Sequence, residues 1–181
     1  MRPIHDHESR LYQQALATFC RQQNPDCFLT LRFNNQYPLA IDSAEKSLRH
    51  FSAQLDRLLL GNGWATFPTE LRTRFIAIPE GRRACSGFLD LHYHLVMALA
   101  LRRRPAVTAD SLPDLASRFW TRSATSGDAN VQFLHTDDDR SRVSSYVCKR
   151  ISEADSVGLE HFVIGPMSSR SSMASRSREE R

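Results

Sequence analysis

Between residues 42 and 60 the apolar side chains Leu48, Phe51, Leu55, Leu58 and Leu59 return at the period of an α-helix. A helix with one apolar stripe has to lay that stripe on something, so this segment fixes the kind of partner the rest of the chain must supply. Asp42 with Glu45 three residues on predicts a capping box at its start, and Gly61 predicts its stop. The partners are strands. Residues 27–33, rich in Phe, Leu and Thr, follow a break at Asn24-Pro25-Asp26; residues 64–67, 73–78, 88–99 and 130–135 also read as strand. Residues 80–87, with Gly81 and Gly87, read as the connection between two of them. Helical spacing recurs at 8–22, 112–122 and 139–152. Strand and helix interleave, which predicts an α+β domain: a central, mainly antiparallel sheet flanked by helices, spanning 1–167. The last fourteen residues, 168–181, hold six Ser, four Arg and two Glu and are expected to form a disordered tail.

Composition narrows the function classes. A hydrophobic fraction of 41% is ample for a core, and 7 Gly with 8 Pro exclude a collagen-like or low-complexity chain. The longest apolar run, 95–101, is far short of the ~20 residues that cross a bilayer. No secretory signal is read in residues 1–15. The cysteines Cys20, Cys27, Cys85 and Cys148 form no Cys-x-x-Cys pair. They are expected to be reduced thiols in a cytoplasmic protein. A net charge of +4 permits a polyanionic partner.

Two groups of residues can carry chemistry. His92 and His94 alternate on one strand, so their imidazoles project from one face and can converge on a divalent cation such as Mn²⁺ or Zn²⁺. A carboxylate should complete the set. Glu80, at the end of the preceding strand, can fold back beside His92; Asp90 lies on the histidine strand itself. Glu80 is preferred because a donor from the neighbouring strand approaches from the side. The second group is Tyr146 and Lys149, which share one flank of the helix at 139–152, off a buried stripe of Val143, Val147 and Ile151. A phenol beside an ammonium suits nucleophilic attack on a phosphate.

The order of these motifs along the chain resembles the HUH endonuclease superfamily, in particular the single-tyrosine initiators of rolling-circle replication. Phe28-Leu29-Thr30-Leu31-Arg32-Phe33 stands as the first motif, His92-Tyr93-His94 as the second and Tyr146-Val147-Cys148-Lys149 as the third. The likeness covers about residues 27–152. It implies that His92 and His94 hold Mn²⁺ or Mg²⁺, with Glu80 as the third ligand, that Tyr146 is the nucleophile and that Lys149 assists it. The activity so implied is site-specific nicking and strand transfer of single-stranded DNA through a 5′-phosphotyrosine, initiating replication of a plasmid or phage-like element. Single-stranded or origin-hairpin DNA would be the substrate and a host helicase a further partner. A relaxase or transposase of the same superfamily, a non-cleaving DNA-binding regulator and a small-molecule phosphodiesterase are the alternatives. The chain has no room for an appended helicase, and no second tyrosine adjoins Tyr146.

Basic residues are available for the DNA backbone. Arg72, Arg74, Arg82 and Arg83 flank the expected metal hairpin, Arg102, Arg103 and Arg104 follow the histidine strand, and Lys149 and Arg150 sit on the tyrosine helix. Trp64, Trp120 and Phe119 are either core residues or platforms for unpaired bases.

Overall fold

The computed structural model describes residues 3–34, 37–100, 108, 110–149 and 162–166. Its framework is a five-stranded antiparallel sheet. The strands are β1 (Cys27–Arg32), β2 (Arg74–Ala84), β3 (Gly87–Ala98), β4 (Asp128–Phe133) and β5 (Val163–Gly165), in the spatial order β4-β1-β3-β2-β5. Four helices cover it: α1 (Pro3–Gln22), α2 (Ile41–Leu60), α3 (Leu112–Ser123) and α4 (Asp137–Cys148). The α+β architecture expected from the sequence is the one observed.

Each face of the sheet has its own core. Leu48, Phe51, Leu55 and Leu59 of α2 and Leu112, Ala116 and Trp120 of α3 pack on Leu29, Leu31, Tyr93, Leu95 and Met97. On the other face, Cys20 of α1 and Val143, Val147 and Cys148 of α4 pack on Ile76, Ile78 and Val96. Strand alternation assigns these residues cleanly: odd positions of β1 and the inner part of β3 face α2 and α3, even positions face α1 and α4.

Several local expectations are corrected. Helix α2 starts at Ile41, not Asp42, and Ala40 precedes it without any side-chain cap, so the Asp42/Glu45 capping box does not form. Glu45 instead pairs with Arg49 one turn on, at 3.1 Å. Residues 64–66 are a turn of 3-10 helix and not a strand. Helix α1 begins at Pro3, five residues before the periodicity becomes visible, since proline is tolerated in a first helical turn. Residues 80–84 are not connection but the second half of β2, and the turn to β3 is only Cys85-Ser86. Pro79 is tolerated inside β2 because, among the described residues, β5 pairs only with Phe75–Ala77 and nothing pairs with that edge beyond it. Strand β5, only three residues long, is not among the expected strands. Helix α4 runs from Asp137 to Cys148 with Lys149 as its C-cap, and Ile151 and the tail at 168–181 lie outside the described residues.

Candidate metal centre

The β2–β3 hairpin contains one irregularity, and the site depends on it. Glu80 stands opposite His92, but the next pairs are Arg82 with Leu89, so two residues of β3, Asp90 and Leu91, face the single Gly81 of β2. Asp90 takes a positive φ of 51° to make this bulge. A Cβ on Gly81 would lie 3.1 Å from both the Leu89 carbonyl oxygen and the Leu91 Cα, so glycine suits the position opposite the bulge. The bulge also reverses the side-chain alternation of β3. Phe88 and Leu91, three apart, both enter the α2 core. Without the extra residue, a strand that buried Phe88 there would bury His92 and His94 with it. With it, both histidines turn to the other face.

There they meet Glu80. The Nε2 atom of His94 is 3.0 Å from Glu80 Oε2 and 3.2 Å from Nε2 of His92, and His92 Nε2 is 3.5 Å from the same carboxylate oxygen. Three donors each ~2.1 Å from one ion stand ~3.0–3.5 Å apart, so this triangle can hold a metal ion. The other ring nitrogens are secured. His92 Nδ1–H donates to the Asp90 carbonyl at 2.9 Å; a carbonyl only accepts, so in the neutral ring the lone pair lies on Nε2, facing the triad. His94 Nδ1 meets the Thr30 hydroxyl at 3.2 Å, a partner able to donate or accept and thus to serve either tautomer. Burial, the facing His92 and the Arg32 charge outweigh Glu80 and push the His94 imidazole down to about 4. It is neutral at neutral pH, which is the form that ligates.

Asp90, the competing carboxylate, is drawn elsewhere. Its Oδ2 binds the Arg82 guanidinium at 2.6 Å in an exposed pair, and only its main-chain oxygen serves the site.

Tyr146 comes to the same place from α4. Its ring lies edge-on to His94, centroids 5.5 Å apart, and edge-on to Phe28 at 6.0 Å, while Phe28 stacks on His94 at 5.5 Å. Tyr146 is 55% exposed, so the phenol is held by two rings yet open to solvent. The helix that carries it is well started: the Thr136 side chain accepts from the Asp139 N–H, and Asp139 returns a bond to the Thr136 N–H. Lys149, exposed at the end of α4, has its carbonyl tied to Gln13 of α1 at 3.1 Å.

The proposed DNA-contacting cations divide. Arg72 is buried, bonded to Asp56 of α2 at 3.0 Å and lying over the Trp64 ring, so it belongs to the fold and is not available to a nucleic acid. Arg82 and Arg83 are exposed at the hairpin end, one paired with Asp90 and the other over Phe88. Arg102, Arg103, Arg104 and Arg150 lie outside the described residues. Trp120 is wholly buried with its indole N–H on the Arg32 carbonyl, and Phe119 packs on the same core, which removes both as base platforms. Thr30, Phe28 and the Asp90 carbonyl were not identified from the sequence. Strand alternation placed Phe28 and Thr30 on one face, but only the β1–β3 register sets Thr30 opposite His94. All four cysteines are free, and no described helix is long and apolar enough to cross a membrane. No protein family, curated protein or solved structure matches this chain.

Proposed function

We propose that the protein is a metal-dependent endonuclease and strand transferase for single-stranded DNA, with Tyr146 as its nucleophile, of the kind that initiates rolling-circle replication. The observation that carries this reading is the contact between Tyr146 and His94. A phenol on one helix and a Glu/His/His set on a hairpin, distant in sequence, share one open surface.

A divalent cation, Mn²⁺ or Mg²⁺, held by Glu80, His92 and His94 would polarise the scissile phosphate as a Lewis acid. The remaining steps belong to the chain. Phe28 and His94 hold the Tyr146 ring edge-on while the residue stays half-exposed. That oxygen attacks phosphorus, the bond from phosphorus to the 3′ oxygen breaks, and the phenolic proton is taken up by the departing 3′ oxygen. The products are a 5′-phosphotyrosyl ester and a free 3′-hydroxyl. Attack by a later 3′-hydroxyl on the ester breaks the tyrosyl–phosphorus bond and rejoins a strand. Lys149, one helical turn from Tyr146, offsets negative charge as the phenol loses its proton. The exposed polar side chains Asn130 and Gln132, on the same sheet face beside Thr30 and Phe28, offer hydrogen bonds to unpaired bases.

The test uses single-stranded DNA enriched from a random pool by binding to the protein. Incubation with Mn²⁺ followed by denaturing electrophoresis should give a protein–DNA band, absent in Tyr146→Phe, which removes one half-exposed oxygen and leaves the fold unchanged. Cleavage by Tyr146→Phe at the wild-type rate would mean that water or another residue attacks.

A further inference from the structure

We infer that Arg32 is the residue that grips the phosphate under attack, binding its non-bridging oxygens beside the Glu80/His92/His94 triad; this rests on the nuclease reading above. Arg32 is the last residue of β1, directly opposite His92 in the β1–β3 register. Opposed residues in an antiparallel pair are ~5 Å apart at Cα. Strand alternation puts its side chain on the face of Thr30 and Phe28, the two β1 residues that touch His94. One row thus runs across four strands: Asp128, Arg32, His92 and Glu80.

Arg32 is exposed and makes no ion pair among the described residues. Its acidic neighbour on β4, Asp128, instead accepts from the Asn34 amide at 3.0 Å. Of the other arginines around the hairpin, Arg72 is engaged by Asp56, Arg82 by Asp90 and Arg83 by the Phe88 ring, while the exposed Arg74 stands opposite Ala98, six residues along β2 from Glu80. An exposed guanidinium with no ion-pair partner among the described residues attracts anions. A phosphodiester has two non-bridging oxygens. With one directed at the triad, the other falls toward Arg32, whose planar fork matches a phosphate edge. Tyr146, above His94 on the same face, is then placed to reach phosphorus.

The experiment compares wild type, Arg32→Gln, Arg32→Lys and a control, Arg118→Gln, on the exposed side of α3 at the opposite face. Binding of a fluorescein-labelled random-sequence single strand is followed by anisotropy over a salt series with Mn²⁺, and adduct formation is measured on the enriched DNA. Mn²⁺ affinity by electron paramagnetic resonance should not fall in any of the variants, showing the triad intact, and Arg32→Gln, which removes a positive charge beside the site, should bind the ion at least as tightly as wild type. Arg32→Gln should bind with a log–log salt slope shallower by ~0.7, one phosphate contact to a single strand, and form adduct at least ten-fold more slowly. Arg32→Lys should regain the slope but not the full rate, because an ammonium does not bind bidentately. Arg118→Gln should match wild type. An Arg32→Gln protein with wild-type slope and rate overturns the assignment. If wild type forms no adduct while Arg32→Gln still flattens the slope, Arg32 stands as a phosphate site and the tyrosine chemistry falls. If wild type does not bind the single strand at all, both fall.

Discussion

Each ring nitrogen of His92 has a different task. Nδ1–H is spent on the carbonyl of Asp90, two residues back, which leaves Nε2 as a lone pair facing His94 and Glu80. Asp90 therefore contributes through its backbone and not its side chain, and the side chain can be deleted without touching the donor set. Replacing Glu80 by Ala removes one of three donors and should weaken Mn²⁺ binding at least ten-fold. Asp90→Asn, which removes the charge of the exposed pair with Arg82 and keeps a side chain that tolerates the positive φ of the bulge, should leave Mn²⁺ affinity within two-fold of wild type, a change worth less than ~0.5 kcal/mol. Titration of both variants by electron paramagnetic resonance checks this. The opposite ranking would move the third ligand to Asp90.

Among the elements, α2 and β2 are joined by a buried charge pair. Asp56, fully buried on α2, accepts from Arg72 Nε and from the Thr73 N–H, both at 3.0 Å, just before β2 begins. Arg72 is in turn covered by Trp64, in the 3-10 turn that leads out of α2. The clasp anchors the chain on α2 immediately before β2 begins. Asp56→Ala would leave a buried guanidinium and a buried N–H without their acceptor and should cost about 3–5 kcal/mol, read as a lower urea midpoint. A loss under 1 kcal/mol would show that water replaces the carboxylate. Helix α4 is held differently, by its Thr136/Asp139 capping box and a short apolar stripe, with Tyr146 on the flank that stripe leaves exposed.

For the molecule as a whole, the two faces of the sheet differ in weight. The α2/α3 face buries twenty-one described residues in one cluster, including Trp120, Phe51 and Tyr93. The α1/α4 face buries eight, and none is aromatic. Local opening is least costly where the least apolar surface is buried, so α4 should open before α2. Amide hydrogen exchange followed by mass spectrometry should show the α4 peptides exchanging at least ten-fold faster than those of α2 and the centre of β3. Equal protection would mean that both layers open together.

Periodicity alone carried much of this protein. The stripe of α2, the apolar runs of β1 and β3 and the spacing of His92 and His94 are local patterns, and local patterns survive in a sequence. So did the exposure of Tyr146, which follows from helical geometry once Val143 and Val147 are taken as buried. What the sequence could not determine is everything set by register. Cys27–Arg32 read as a strand, but nothing in it says that Thr30 faces His94 or that Arg32 faces His92. The missing capping box of α2 and the 3-10 turn at 64–66 have the same origin, since tertiary anchoring of Leu39 on Phe88 and of Arg72 on Asp56 overrides weak local preferences. Most decisive is the bulge at Asp90. A strand's alternation predicts that residues two apart share a face, which held for His92 and His94, but not which face. One extra residue reverses that choice, and its position is decided by how the two long strands of the hairpin pack together, not by the residues of either strand alone.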